Sequence, residues 1–483
     1  MIHSENPSVL ICGAGPAGLT LAICLARHGV PFRIVDKRPG PFVGSRGKGI
    51  QPRTLEIFED LGVLDRILDA GGAYPSQCVH SAAGDRIENG ISAVSPTPTE
   101  PFGQPWMVMQ SLTEGILRDC LGTFGVSVEW STEVTGVTRG DAVSTQLTSP
   151  AGDEALASRY VVGADGGRST LRQQSGISFP GNTLGVRAVV ADLELSGLDT
   201  RYWHRYNEGD MTRQVSLCPL QGTSLVQLQA PLPPDGEVDV TPDGLSRFIA
   251  ERCGRNDLHV SAVSWASVYA MNARLADRYR DGSTFLVGDA AHIHPPTGGQ
   301  GLNTSIQDAY NLGWKLAAVH AGADERLLDT YEEERRPIAA GMLGLSTRLL
   351  DAASKGSMRR GRDAQQLDLA YRESSLNVEV PARTEGLRAG DRAPDAWLWS
   401  ETGEKVRLFE LFRGPHWTRL VVGPDGDGPA WSDLDGIFAD AYRPTVGDCF
   451  VIRPDGYIGA ILGAGCHDRM DRFAGEVKTY RIA

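Results

Sequence analysis

Three glycine-rich segments carry the residues that could do chemistry in this chain. They are Gly13-Ala14-Gly15-Pro16-Ala17-Gly18, Gly163-Ala164-Asp165-Gly166-Gly167-Arg168-Ser169-Thr170, and a run from Gly288-Asp289 to Gly298-Gly299-Gln300-Gly301-Leu302-Asn303. The first has the GxGxxG spacing. In a strand-to-helix turn, Gly13 permits the reversal, Gly15 lets the backbone approach a pyrophosphate, and Gly18 lets the helix pack closely; Pro16 and Ala17 share that turn. The unpaired first amides of such a helix attract anionic oxygens. Asp36, ending the next apolar run and followed by Lys37 and Arg38, is spaced to accept hydrogen bonds from an adenosine ribose. Asp165 and Asp289 each follow an apolar run beside small residues, which suits recognition of sugar hydroxyls.

The elements that must position these groups can be read around them. Val9-Leu10-Ile11-Cys12 reads as a strand, Leu19 to Ala26 as a helix packed on a sheet, and Phe32-Arg33-Ile34-Val35 as the next strand. Beyond Asp289, His292-Ile293-His294-Pro295-Pro296 reads as a stiff extended wall, because proline fixes φ and restricts its predecessor. Gly298 to Asn303 then delivers backbone amides to a helix expected from about Thr304 through Trp314. Such amides favour negative charge. The first motif alone does not separate a nicotinamide dinucleotide from FAD.

The later segments make that separation by resemblance. Arg159 to Arg172 resembles the "DG" fingerprint of flavoprotein hydroxylases, and Thr284 to Ala291 resembles their "GD" fingerprint. In order behind GAGPAG, these identify residues 8 to 345 as similar to group A FAD-dependent aromatic hydroxylases, whose archetype is p-hydroxybenzoate hydroxylase. The resemblance implies that Asp165 lies near FAD and the entering nicotinamide, and that Asp289 binds the ribityl chain. It implies that Gly299, Gln300, Gly301, Leu302 and Asn303 lie beside the isoalloxazine. It also implies that Arg46, in Gly44 to Leu55, hydrogen-bonds FAD, with Lys48 and Arg53 as weaker matches, and that Gln110 contacts the cofactor. Arg118, two turns further along that helix, is a candidate for the same phosphate side or for a surface ion pair. His294, Pro295 and Pro296 are the catalytic candidates, through proximity to substrate and exclusion of water. A metal role for His292 and His294 is not expected, since no third ligand is spaced to help.

The implied reaction is reduction of bound FAD by NADPH or NADH, then transfer of an oxygen atom from dioxygen, through a flavin hydroperoxide, to an activated aromatic ring. No match appears for the tyrosine pair and carboxylate-binding arginine of the benzoate enzymes. GGQGLN and the C-terminal extension look closer to hydroxylases of larger phenols and polyketides. Trp203, His204, Tyr206 and Arg213 are candidate pocket residues. A Baeyer–Villiger outcome and a non-catalytic flavin-binding sensor are the alternatives. A halogenase would carry WxWxIP, whereas the Trp-x-Trp here is Trp397-Leu398-Trp399, without Ile-Pro.

The fold class expected is α/β: a discontinuous Rossmann-like FAD domain (1–75, 100–178 and 268–345), a sheet-rich substrate domain (76–99 and 179–267), a helical linker (346–387) and a thioredoxin-like C-terminal domain (388–483). Strands are expected at Arg187–Glu194, Gln214–Cys218 and Leu225–Gln229, the last half-exposed because it alternates. Residues 326–375 read as largely helical, with Pro337 as a bend. Cys449 and Cys466 are too far apart for a redox motif. The chain has 483 residues, enough for two or three domains, and a net charge of −13, which disfavours nucleic acid. Eight cysteines without metal-like spacing argue against a metal site or a disulfide framework. With no leader and no apolar run near the ~20 residues of a membrane span, the expected protein is cytoplasmic, with no membrane partner, and a monomer or homodimer.

Overall fold

A computed structural model describes residues 7–89, 94–140, 142–210, 212–233, 235–295, 299–354, 361–423, 429–465 and 477–482. Pro296 and Cys466 lie outside these residues. The first sheet has six strands in the order Arg280–Asp281, Thr284–Leu286, Tyr160–Gly163, Val9–Cys12, Phe32–Asp36 and Glu129–Trp130, parallel except at the Arg280 edge. Val9–Cys12 is central and wholly buried, as expected for a strand covered on both faces. Helices Pro16–Arg27, Gln110–Thr123 and Gly301–His320 supply the covering apolar side chains, among them Leu21, Leu117 and Leu316. The last begins at Gly301 and runs to His320, longer at both ends than the sequence suggested.

A second sheet of eight strands runs in the order His292–Ile293, His259–Leu275, Gly181–Ser196, Val226–Leu232, Val215–Pro219, Trp203–Tyr206, Gln77–His80 and Arg86–Glu88. It is antiparallel except between Gln77–His80 and Trp203–Tyr206. The helix Pro242–Cys253 covers one face through Leu245 and Ile249. His259–Leu275 is continuous across residue 267, so the expected boundary there falls inside one strand. Val226–Leu232 alternates as expected, and its polar side faces the interior between the sheets, where Gln229 is half-buried on the wall of a cavity. Gln227 is fully buried and donates to the Ser45 carbonyl at 3.0 Å, which ties this sheet to the loop at residues 44–48.

The helix Asp329–Ser354 continues through Pro337, flanked by the fully buried ionic side chains Glu334 and Arg335. The expected helical linker is corrected beyond this point. Residues 361–387 hold one 3-10 turn, Arg362–Ala364, and one strand, Val378–Val380. The segment is otherwise irregular turns, with Gln366 at a φ of +64° and buried against the Gly301–His320 helix through Gln307, and Gln365 buried against the Gly103 carbonyl. A third large sheet, eight strands from Val378–Val380 to Lys405–Arg407, packs with helices Leu408–Phe412 and Ile437–Tyr442 around Phe438, Tyr442, Phe450 and Ile458. Two buried ion pairs, Arg453 to Glu334 at 2.7 Å and Arg392 to Glu56 at 2.9 Å, and a partly buried one, Arg407 to Glu59 at 2.6 Å, dock it. Among the described residues, no helix is long and apolar enough to cross a membrane.

Candidate active site

A cavity of about 1290 Å³ opens between the first two sheets. At one end it meets the turn after Val9–Cys12. Gly13 has φ of +109°, and a β-carbon there would lie 2.3 Å from the Ala164 carbonyl oxygen. A β-carbon on Gly18 would lie 1.9 Å from the Gly13 carbonyl oxygen. Gly15 differs: its backbone is extended and a β-carbon would meet nothing within 4 Å. The space in front of it is the cavity, with Pro16 at the first helical position behind it. Gly18 packs beneath the turn and does not line the cavity.

Asp36 closes the far side of that turn. Its carboxylate accepts from the Ala14 amide at 2.8 Å, the Arg38 amide at 2.9 Å and the Arg38 guanidinium at 2.9 Å. Burial pushes this carboxyl up, but those donors outweigh it and hold it below the ordinary aspartate range. Asp36, Lys37 and Arg38 all line the cavity, and Arg38 also lies over the Trp130 ring at 5.8 Å.

Asp165 and Asp289 reach the middle of the cavity from neighbouring strands. Arg172 joins their two segments, donating to the Ala290 carbonyl at 2.8 Å and the Gly167 carbonyl at 3.0 Å. Asp165 accepts from the Leu171 amide through Oδ2, while Oδ1 is buried without a hydrogen-bond partner among the described residues. Burial raises its pKa. A buried acceptor left open at a cavity wall suits a ligand hydroxyl.

Across the cavity, Gly299, Gln300, Gly301 and Leu302 present the N-terminus of the Gly301–His320 helix. Asn303 is set back and does not line the cavity. Its side chain accepts from the Gln51 amide and donates to the Gly49 and Gly299 carbonyls, each at 2.8 Å. It therefore clamps three loop segments together. The Gln300 side chain is similarly engaged with Ala364 and Gln366, so its backbone is what faces the cavity. Gln110 accepts from the Gly47 amide at 3.0 Å and donates to Glu114 at 2.8 Å, which fixes the loop that carries Arg46 and Lys48 into the cavity. Arg118 does not reach the cavity. Arg53 turns away to Glu56 and to the Asp455 carbonyl.

His294 lines the cavity above Gly301, stacked on His292 with centroids 5.5 Å apart. Burial and the neighbouring His292 pull its pKa down to about 3, so it is neutral. His292 is directed away, bonded to Asp308 at 2.8 Å. Pro295 is buried outside the lining.

The second sheet forms the remaining wall. Alternation along Trp203–Tyr206 decides which candidates face it. Trp203 and Arg205 line the cavity, whereas His204 and Tyr206 occupy the opposite face; Arg213 is also outside. Tyr74, Gln214, Ser216, Gln229, Tyr269 and Met271 join Trp203, and sequence reasoning did not single them out. Lys48 and Arg205 bring cations to this half, and Arg205 is ion-paired with Glu208. The Lys48 ammonium is buried without a hydrogen-bond partner among the described residues and sits 4.9 Å from the Trp203 ring centroid.

These features fit FAD. The open Gly15 cradle and helix N-terminus suit its pyrophosphate, Asp36 its adenosine ribose, Asp165 and Asp289 its polyol, and the Gly299–Leu302 amides its ring. The model of the FAD binding domain family matches residues 6–346. A flavin-dependent monooxygenase of Mycobacteroides abscessus is 42% identical over 469 residues, covering 95% of this chain and 98% of that protein. The 6-methylpretetramide 4-monooxygenase of Streptomyces rimosus is 32% identical, covering 95% and 91%. The crystal structure of aklavinone-11 hydroxylase with FAD and aklavinone superposes with a TM-score of 0.82 at 27% identity, covering 97% of this chain and 98% of that one. A glycine cradle open only towards the cavity, set in a chain matched nearly end to end by such relatives, belongs to an FAD-dependent enzyme: this protein is a member of the flavin-dependent monooxygenase family.

Proposed function

We propose that the protein hydroxylates a polycyclic phenolic compound of the polyketide type, with FAD bound, NADPH or NADH as reductant and dioxygen as oxygen donor. The observation that carries this reading is a buried ammonium in the cavity wall that has the Asp192 carboxylate as a neighbouring charge but no hydrogen-bond acceptor among the described residues. Lys48 lines the cavity beside Trp203, whose ring neighbours Tyr74, and a phenolate oxygen would supply the acceptor that its ammonium lacks. A ring system stacked on those aromatic side chains would bring a charged oxygen to Lys48. Stabilising the phenolate raises electron density on its ring, which is what attack by an electrophilic oxygen requires. Relatives named for 6-methylpretetramide and aklavinone support a fused-ring substrate.

FAD, when bound, supplies the reduction and activation of dioxygen. The protein's part is binding, orientation and exclusion of water. Ala188, Val190, Trp203 and Met271 give the substrate half an apolar wall. The helix N-terminus at Gly301 stabilises negative charge on a ring placed against it. Neutral His294, with Nε2 buried and unpartnered among the described residues, offers a hydrogen bond rather than a charge. Dependence on a reduced nicotinamide suits a cytoplasmic protein. The region 388–483 fits a structural module of thioredoxin-like type: burial pushes the Cys449 thiol up to about 12, unlike a reactive thiol.

The test is incubation of the FAD-loaded protein with NADPH, labelled dioxygen and a panel of naphthols, hydroxynaphthoquinones and hydroxyanthraquinones, followed by mass spectrometry. One labelled oxygen on an aromatic carbon, with faster NADPH oxidation, supports the reading. Oxygen inserted beside a ketone would replace it with a Baeyer–Villiger reaction. No oxygen gain and no acceleration with any compound would overturn it.

A further inference from the structure

The face of the second sheet turned away from the cavity carries a cluster that the monooxygenase reaction does not use. Gln77–His80 pairs in parallel with Trp203–Tyr206, placing Cys78 opposite His204 and His80 opposite Tyr206. One ligand-capable atom from each of Cys78, His80 and His204 lies within 4.8 Å of the others. Cys78 and His80 stand two residues apart on one face of a single strand, and the strand register brings His204, more than a hundred residues away, beside them.

The hydrogen bonds at the outer edges of the two imidazoles fix their tautomers. His80 Nδ1 lies 2.9 Å from Asp85 Oδ1, and a carboxylate only accepts, so Nδ1 carries the hydrogen. His204 Nε2 lies 2.8 Å from the Asp199 carbonyl oxygen, which also only accepts. Each ring then turns an unprotonated nitrogen inward. His80 Nε2 and His204 Nδ1 face each other at 2.9 Å, lone pair to lone pair, in rings inclined by only 7°. Two neutral imidazoles cannot satisfy that contact. A cation between them can.

We infer that Cys78, His80 and His204 form a site for a zinc-type divalent ion, held by His80 Nε2, His204 Nδ1 and the Cys78 thiolate, with water as the fourth ligand. Two imidazoles and one thiolate are a borderline-soft donor set that suits zinc. Asp85 and the Asp199 carbonyl stand where outer partners of zinc-binding histidines stand, orienting each ring through its remaining N–H. Tetrahedral ligands at zinc bond lengths lie about 3.3 to 3.7 Å apart, so the two nitrogens must part by a few tenths of an ångström and each ring must tilt to aim its lone pair at a shared point beside the line between them. His80 has a side chain 17% exposed, which leaves solvent access for the water. Binding displaces the Cys78 proton to solvent, and no electron is transferred.

The ion would act as a cross-strand staple. Trp203 and Arg205 leave the opposite face of the same strand to line the cavity, so the staple would fix the wall against which the substrate packs. This rests on the placement of the cluster and not on the proposed substrate.

The test uses the FAD-loaded full chain, stripped with a chelator and titrated with Zn²⁺ against a chromophoric competitor, then with Co²⁺ as a spectroscopic probe. The expected result is one equivalent of Zn²⁺ bound at micromolar or tighter affinity, a cobalt spectrum with a thiolate charge-transfer band, and a melting temperature raised by Zn²⁺. Cys78→Ser should lose the charge-transfer band, and Cys78→Ser and His204→Gln should each weaken Zn²⁺ binding about a hundredfold. His80→Gln alters a partly exposed side chain and keeps the test informative if a buried variant fails to fold. No stoichiometric Zn²⁺ in the wild type, as expected if a shared proton bridges the two rings, would overturn the proposal. So would a His80→Gln protein that binds zinc like the wild type. Hydroxylation activity, measured in parallel, reports separately on the proposed function.

Discussion

Gly15 and Gly18 stand three residues apart in one motif, yet the structure gives them separable duties. A methyl group on Gly18 would sit 1.9 Å from the Gly13 carbonyl oxygen and 3.3 Å from the Ala164 β-carbon. The helix must move by about 1 Å to admit it. Overpacking of that kind costs about 1–3 kcal/mol, against which alanine's better helix propensity returns at most about 1 kcal/mol. A methyl on Gly15 meets no protein atom within 4 Å, and the φ of −81° there is open to alanine. Gly15→Ala should therefore leave the flavin-free protein as stable as wild type, within about 0.5 kcal/mol. It should weaken FAD by about 5- to 150-fold, the equivalent of about 1–3 kcal/mol of steric conflict with the pyrophosphate. Gly18→Ala should lower the melting temperature of the flavin-free protein outright. Melting curves of stripped protein, and FAD titrations followed by flavin fluorescence, separate the two effects. Equal loss of stability in both stripped variants, or wild-type FAD affinity in Gly15→Ala, would refute the assignment of the cradle.

Lys48→Met should retain FAD but weaken binding of an ionised hydroxynaphthoquinone about tenfold relative to its methyl ether, measured by fluorescence quenching in parallel titrations. Glu334→Gln should destabilise the protein by about 3–5 kcal/mol, read from urea unfolding, because Lys315 and Arg453 would stay buried without their shared carboxylate. His294 supplies a pH test. Its folded pKa is held near 3, below the ordinary 6.5, so the unfolded chain binds the extra proton and stability falls as pH drops through 6.5. His294→Gln should flatten that acid limb by about 1.4 kcal/mol near pH 5.5, compared by denaturant unfolding at pH 7.5 and about 5.5.

What the sequence made legible was local. Gly13 to Gly18, Asp36, Asp165 and Asp289 announce themselves because a tight turn or a strand-end carboxylate needs its residue type at a fixed offset. What stayed hidden depends on contacts made across the fold. Trp203, His204 and Tyr206 looked alike as pocket candidates, but strand alternation sends Trp203 to the cavity and the other two to the far face. Gln227 sits in a strand whose alternation suggests solvent, yet it is buried against Ser45, a partner that sequence cannot supply. Asn303, expected in the glycine-rich loop, lies in the first turn of the Gly301–His320 helix, and its side chain serves Gln51, Gly49 and Gly299. Cys78, His80 and His204 have no metal-like spacing, because a parallel strand pair rather than a loop unites them.

The buried ions around Glu334 bear on where this protein can be cut. Glu334 receives Arg453 through both oxygens, Lys315 at 2.6 Å and Asn311 at 2.7 Å, while Asp455 takes the Trp314 indole N–H at 3.0 Å. Lys315 and Trp314 belong to the helix whose first turn faces the flavin site, and Arg453 and Asp455 come from the turn between the strands Cys449–Ile452 and Ile458–Leu462 of the last sheet. The stretch recognisable as an FAD-binding domain ends at residue 346, so it stops short of two of the charges that neutralise its own interior. A fragment trimmed to residue 346 would keep the Glu334–Lys315 pair but lose Arg453 and Asp455, leaving that pair and the Asn311 and Trp314 donors at the base of its cofactor helix without the partners that complete their hydrogen bonds.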